Sequence, residues 1–229
     1  MGSSSSKALE ESVRATPLET LASPLVVVDP VHCSDAPRSL LIKHTVTGGD
    51  MTITATHYDG AKSGDVVYRV NGDRHFALYN SADDLVCEIL HHGSGCRVVN
   101  GSSMFYSARL PVPFQPKEVG VFKHVQKQNV PVVIGEVTDR QSGQRFRIGY
   151  TGTWAYKHTA VIWLANEKTP TEHVAIARVV PSGRCGMSVS YCLEIAPGVD
   201  ASILMMVIAV LDVGATMPYQ IPAPAITGV

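Results

Sequence analysis

Pro197-Gly198-Val199-Asp200-Ala201-Ser202-Ile203-Leu204-Met205-Met206-Val207-Ile208-Ala209-Val210-Leu211-Asp212 is unlike anything else in the chain. Asp200 is placed to cap a helix, its carboxylate accepting the free N–H groups of the first turn, and Gly214 is placed to end it. Every residue from Ile203 to Leu211 is apolar. Such a helix has no face for water and must be buried on all sides. A bilayer is one such environment, but a spanning helix needs about 20 apolar residues. Asp200 and Asp212 bracket only eleven. The interior of a closed β structure is the other, since a barrel of about a dozen strands has room for a filling element. The pattern predicts a core helix over 199–212.

The rest of the chain predicts what would surround that helix. Short apolar or alternating runs recur from Leu25–Val28 onward. They include Ser39–His44, Met51–Thr56, Asp65–Val70, Arg74–Tyr79, Leu85–His91, Cys96–Val99 and Met104–Ala108. Val119–Lys123, Val132–Asp139, Arg145–Tyr150, Ala160–Leu164, Val174–Val180 and Gly186–Ile195 follow. Val, Ile, Tyr, Phe and Thr dominate them, the residues that fit a pleated surface. Asn71-Gly72-Asp73 and Asn100-Gly101 tolerate the positive φ of tight hairpins. Arg140-Gln141-Ser142-Gly143 and Pro181-Ser182-Gly183-Arg184 read as further turns. Pro111, Pro113 and Pro116 mark an edge or loop, because proline cannot donate to a ladder. The fold class expected is mainly β (α+β), an antiparallel closed barrel of about twelve strands around one helix.

At 229 residues the chain fits one such domain. Residues 1–24 lack a sustained apolar period and are expected to be a flexible N-terminal arm. Residues 25–215 form the barrel, and 216–229 a C-terminal tail. Apolar residues make up 45% and charged residues 17%, which argues against disorder. Net charge is −1, so no long-range field favours a nucleic acid, and none is expected as partner. Cys33, Cys87, Cys96, Cys185 and Cys192 are odd in number, and the polar opening of the chain is unlike a secretory signal. Free thiols in a reducing, cytoplasmic setting are expected.

Ile195-Ala196-Pro197-Gly198-Val199-Asp200-Ala201, with the apolar run ending Val210-Leu211-Asp212, resembles the C-terminal signature of the LURP-one-related family. That family belongs to the tubby C-terminal-like superfamily, with the phospholipid scramblases. Val67–Val70, Phe76–Asn80 and Leu85–Ile89 resemble its early strands, and Val137–Gly143 with Phe146–Ile148 a later one. The likeness extends over residues 30–213. It implies a twelve-stranded barrel around a central helix, and no catalytic residues. Tubby proteins bind phosphoinositide head groups through basic residues, but those positions do not align here and none is carried over.

Met1-Gly2-Ser3-Ser4-Ser5-Ser6 fits an N-myristoylation signal, with Gly2 as acceptor and Ser6 at the required offset. An expression leader can also begin Met-Gly-Ser-Ser, and that reading stays open. One myristoyl chain binds membranes with a constant of only about 10⁴ M⁻¹, so a second signal is needed. Lys123, Lys127, Arg140, Arg145 and Arg147 are the candidates for a face towards anionic lipid, with Arg145 and Arg147 on one side of a strand. The same alternation equally describes an ordinary solvated barrel wall.

Cys87, His91, His92 and Cys96 are ligand types, but adjacent histidines on a strand face opposite ways, and no metal site is expected. Ser94 and Cys96 lack a nucleophile elbow. No phosphate-binding loop or dinucleotide motif is present. Trp154 and Trp163 read as core or rim packing. No cofactor is expected. The expected function is a non-enzymatic, membrane-peripheral binding or adaptor protein on the cytoplasmic face. It would recognise an anionic phospholipid, a phosphoinositide or a protein partner. The alternatives are a soluble scaffold with no lipid role and a scramblase-like membrane protein.

Overall fold

A computed structural model describes residues 3–45, 50–57, 62–71, 76–92, 95–100, 103–109, 131–154, 158–185 and 188–216. The protein is mainly β, one large antiparallel sheet with two helices. The strands are β1 (Arg38–Thr45), β2 (Met51–His57), β3 (Val66–Asn71), β4 (Phe76–Asn80), β5 (Leu85–His92) and β6 (Gly95–Asn100). They continue with β7 (Ser103–Arg109), β8 (Val132–Thr138), β9 (Arg145–Thr153), β10 (Thr159–Asn166), β11 (Thr169–Cys185) and β12 (Ser188–Ile195). Each pairs antiparallel with its chain neighbour. β1 pairs with β2 on one side and β12 on the other. The thinnest ladder is β7–β8, where only Tyr106↔Val137 and Ser107↔Glu136 pair among the described residues.

Helix α2 (Ala201–Thr216) forms the centre of the core. Ile203, Leu204, Met205, Met206, Val207, Ile208 and Ala209 are all buried. They cluster with alternate residues of the strands: Leu40 and Ile42, Ile148 and Tyr150, Ile162 and Leu164, Tyr191 and Leu193. Burying a Leu, Ile or Met side chain contributes about 1.5–3 kcal/mol. The helix therefore fixes which face of each strand turns inward. It starts two residues later than 199–212, because Asp200 is its cap rather than its first turn, and it runs four residues past 212, through Gly214, which was expected to end it.

Three expectations are corrected. Ser3–Ala15, expected within a flexible arm, is helix α1. Leu9 and Val13, one helical turn apart, are buried against Val180, with Val161 and Cys192 beside them on the outer wall. Glu10 and Arg14 pair across the next turn at 2.9 Å. Two apolar residues at that spacing suffice for docking yet are too few to show as a period. Arg178 then holds the C-terminal end of α1, donating to the carbonyls of Arg14 and Thr16.

Leu25–Val28, expected as the first strand, is instead a buried irregular plug, bridged from Leu25 to Val199 and accepting the Arg140 N–H at the Val26 carbonyl. Pro181–Arg184, expected as a turn, lies inside β11, where the register with β12 shifts between Pro181 and Gly183. A bulge is one of the few strand positions that accept proline. The expected strand Val119–Lys123, the prolines at 111, 113 and 116, and the tail 217–229 lie outside the described residues.

Candidate functional site

The plug creates a demand before it creates a site. Buried main chain outside a ladder must find partners for its N–H groups. Val26, Val27 and Val28 are buried and make no strand. Asp200 answers most of the demand: its Oδ2 accepts the N–H groups of Val27 at 3.1 Å, Val28 at 2.7 Å and Asp29 at 3.4 Å. Its Oδ1 accepts the N–H of Ser202 at 3.0 Å and the Ser202 hydroxyl, the capping role its position predicted. Asp139, at the end of β8, accepts from Val26 N–H at 3.1 Å and from Ser142 N–H at 2.9 Å. The Ser142 hydroxyl donates to it as well.

Beside the plug lies a second polar group. The 3₁₀ turn Pro30–His32 is capped by Asp29. His32 Nδ1 sits 2.9 Å from the Tyr68 hydroxyl. Buried Arg38 donates to the carbonyls of His32 and Cys33. Burial pulls the His32 pKa below 6.5, partly opposed by Asp200 and Asp29. Burial pushes the Cys33 thiol up to about 12, and the Asp200 charge adds to it. The Cys87 thiol is raised further, again mainly by burial. Neither is a ready nucleophile, because the thiolate is the reactive form.

At the other end of α2, Asp212 is buried among aromatic groups. Trp154 Nε1 donates to it at 2.6 Å and the Tyr191 hydroxyl at 2.7 Å. His158 Nε2 lies 3.1 Å away. The His158 ring stacks on Tyr191 at 4.6 Å between centroids, edge-on to Trp154. His158 has φ +44°, a left-handed backbone that is uncommon for histidine. Burial and the Asp212 charge hold the Tyr191 pKa well above 10.

A pocket of about 290 Å³ opens at the plug end of the sheet. Leu25, Phe146, Leu164 and Val174 form its apolar wall, with Gln144, Asn166 and Glu172 at its edge.

Of the expected membrane-facing residues, Gly2, Lys123 and Lys127 lie outside the described residues. Arg140, Arg145 and Arg147 are exposed. Arg145 reaches Glu136 at 2.6 Å and Glu167 at 3.7 Å. Arg140 donates to the Val28 carbonyl, so it also belongs to the plug. His91 pairs in register with Cys96 across β5–β6, and His92 with Gly95. Among the described residues, no group of three or more His, Cys, Asp or Glu is arranged to hold a metal ion. No helix among them is long and apolar enough to cross a membrane.

Sequence reasoning missed Asp139, His32, His158 and Arg178. Asp139 carried a usable signal, since an Asp three residues before Ser142-Gly143 can close its own turn. His158 carried none, as its partner is 54 residues away. No family model, curated protein or solved structure matches the chain.

Proposed function

We propose that this protein is a non-enzymatic binding or adaptor protein that sits peripherally on the cytoplasmic face of a membrane. Its architecture would be the closed twelve-stranded, tubby-like barrel of the LURP-one-related family. The observation that carries the reading is the occupied interior. Apolar side chains of α2 fill the space where an enclosing sheet would otherwise hold a substrate. Recognition is then left to the outer wall, the rims and the N-terminal segment. Gly2 would supply the acyl anchor immediately before α1. Arg140, Arg145 and Arg147, with Lys123 and Lys127, would supply the second signal, each basic group near the surface contributing about 1 kcal/mol towards anionic lipid.

One observation favours the soluble scaffold as a second reading. Arg145 is already paired with two carboxylates, and Arg140 is bound to the plug. A wall with its charges engaged suits a protein surface better than a phosphate-rich one. The scramblase-like reading fits least, since α2 is buried and both its aspartates are tied into the fold.

The test combines intact mass spectrometry of protein from its native cells with vesicle sedimentation. Loss of Met1, gain of a myristoyl group and sedimentation with phosphatidylserine vesicles are expected, with Gly2→Ala left in the supernatant. An unmodified N-terminus together with no sedimentation would overturn the membrane reading in favour of the scaffold.

A further inference from the structure

The pocket beside the plug has a wall and an edge of different chemistry. Leu21 and Leu25, from the segment leading into the plug, line it together with Phe146, Leu164 and Val174. Two carboxylates, Asp139 and Glu172, line it, and among the described residues no lysine or arginine does. Asp139 is buried, and hydrogen bonds from Ser142, Val26 and Gln141 outweigh its burial and hold its pKa below 3.8. It is therefore a fixed negative charge at neutral pH. Its oxygens already accept four donors, so it contributes field rather than contact. Glu172 is exposed and lines the pocket, so its carboxylate can reach a ligand there. The nearby guanidinium of Arg145 is turned to Glu136 and Glu167.

The geometry points to a binding site for a small organic cation: an ammonium group on a short apolar body. The apolar part would lie against Leu25, Phe146, Leu164 and Val174. The ammonium would face Glu172 and the amide oxygens of Gln144 and Asn166, within the field of Asp139. At about 290 Å³ the pocket is near the lower end of ligand-sized cavities, which excludes a bulky headgroup. An anion is disfavoured, because it would have to lose its water beside two carboxylates. This site is independent of the membrane reading, since it uses neither Gly2 nor the arginine face.

The test is a titration of the ¹⁵N-labelled full chain with n-hexylammonium, n-hexanol and n-hexanoate as probes. Saturable shifts confined to the amides of Gln144, Phe146, Asn166, Glu172 and Val174 are expected with the ammonium. Hexanoate should bind at least about tenfold more weakly, reversing an attraction into a repulsion of like size. Glu172→Gln, at an exposed edge that does not endanger folding, should weaken the ammonium about fivefold and leave hexanol unchanged. Equal binding of all three probes would show a nonspecific apolar cleft and overturn the proposal. So would an ammonium affinity indifferent to Glu172→Gln, or no saturable shift at these residues.

Discussion

Two aspartates, one at each end of α2, are buried, and the protein satisfies them in opposite ways. Asp200 is surrounded by main-chain N–H groups of the plug and of its own helix. Asp212 is surrounded by an indole, a phenol and an imidazole. Main-chain donors are always donors and cannot turn away. A phenol can rotate its proton, and an imidazole can move its proton to the other nitrogen. The plug end is thus a rigid lock and the aromatic end an adjustable one.

The largest expected effect comes from the helix between them. Met206 is fully buried, and Met206→Asp would place a charge there with no donor in reach. The chain should lose its cooperative unfolding transition and its near-ultraviolet circular dichroism. A soluble, cooperatively unfolding Met206→Asp protein would show that α2 is not the centre of the core, and would remove the basis for comparing its ends.

The comparison itself is tested by Asp200→Asn against Asp212→Asn, measured by urea unfolding. At Asp200 the new amide turns donors towards fixed donors. With the new nitrogen at the Oδ2 position, three plug N–H groups lose their acceptor. At the Oδ1 position the Ser202 N–H loses its own and the three plug bonds lose their charge assistance, at about 1–3 kcal/mol for each acceptor lost. A loss of about 3 kcal/mol or more is expected. At Asp212 the Tyr191 hydroxyl can rotate to accept, and His158 can take the tautomer that accepts. A loss of about 1–2 kcal/mol is expected there, mainly from charge-assisted bonds made neutral. Equal losses, or a larger one at Asp212, would mean that donor adaptability does not distinguish the ends.

The same contrast explains what could be read from the residues alone. Asp200 was legible as a cap because capping is local: it bonds Ser202, two residues on. Its second role, across 172 residues to Val28, leaves no trace in spacing. The plug was mistaken for a strand because Leu25–Val28 has strand composition, and burial on all sides looks alike in either conformation. The hairpin order followed from turn residues between alternating runs, a local signal. Helix α1 escaped because its two anchors, Leu9 and Val13, sit among polar residues whose pattern alone does not require a helix. Arg145 and Arg147 were correctly placed outward by alternation, but alternation says nothing of Glu136 and Glu167 beside them. The pocket joins the segment 21–25 to β9, β10 and β11, so no window of sequence contains it.

The smallest expected effects are on pH dependence, and they should fall on opposite sides of neutrality for the two ends. At the plug end, the His32 pKa is lowered from 6.5 by burial. Below pH 6.5 the unfolded chain takes up this proton and the folded one resists, so stability is lost as pH falls through that window. Asp139 follows below pH 3.8: its lowered pKa gives stability that is present above 3.8 and lost as acid protonates the folded carboxylate. At the aromatic end the sign reverses. Tyr191 is held neutral by burial beside Asp212, with its pKa raised above 10. Its contribution is complete below pH 10 and is lost as pH rises beyond it, because the unfolded chain releases the proton first. Tyr191→Phe removes the titrating group. It should flatten the alkaline limb of a stability-against-pH curve and leave the acid limb in place. The lost hydroxyl bond should cost about 1–2 kcal/mol at neutral pH. If Tyr191→Phe flattened both limbs equally, the two ends would be titrating as one unit. The packed core around α2 would then couple the plug end to the aromatic end rather than isolate them.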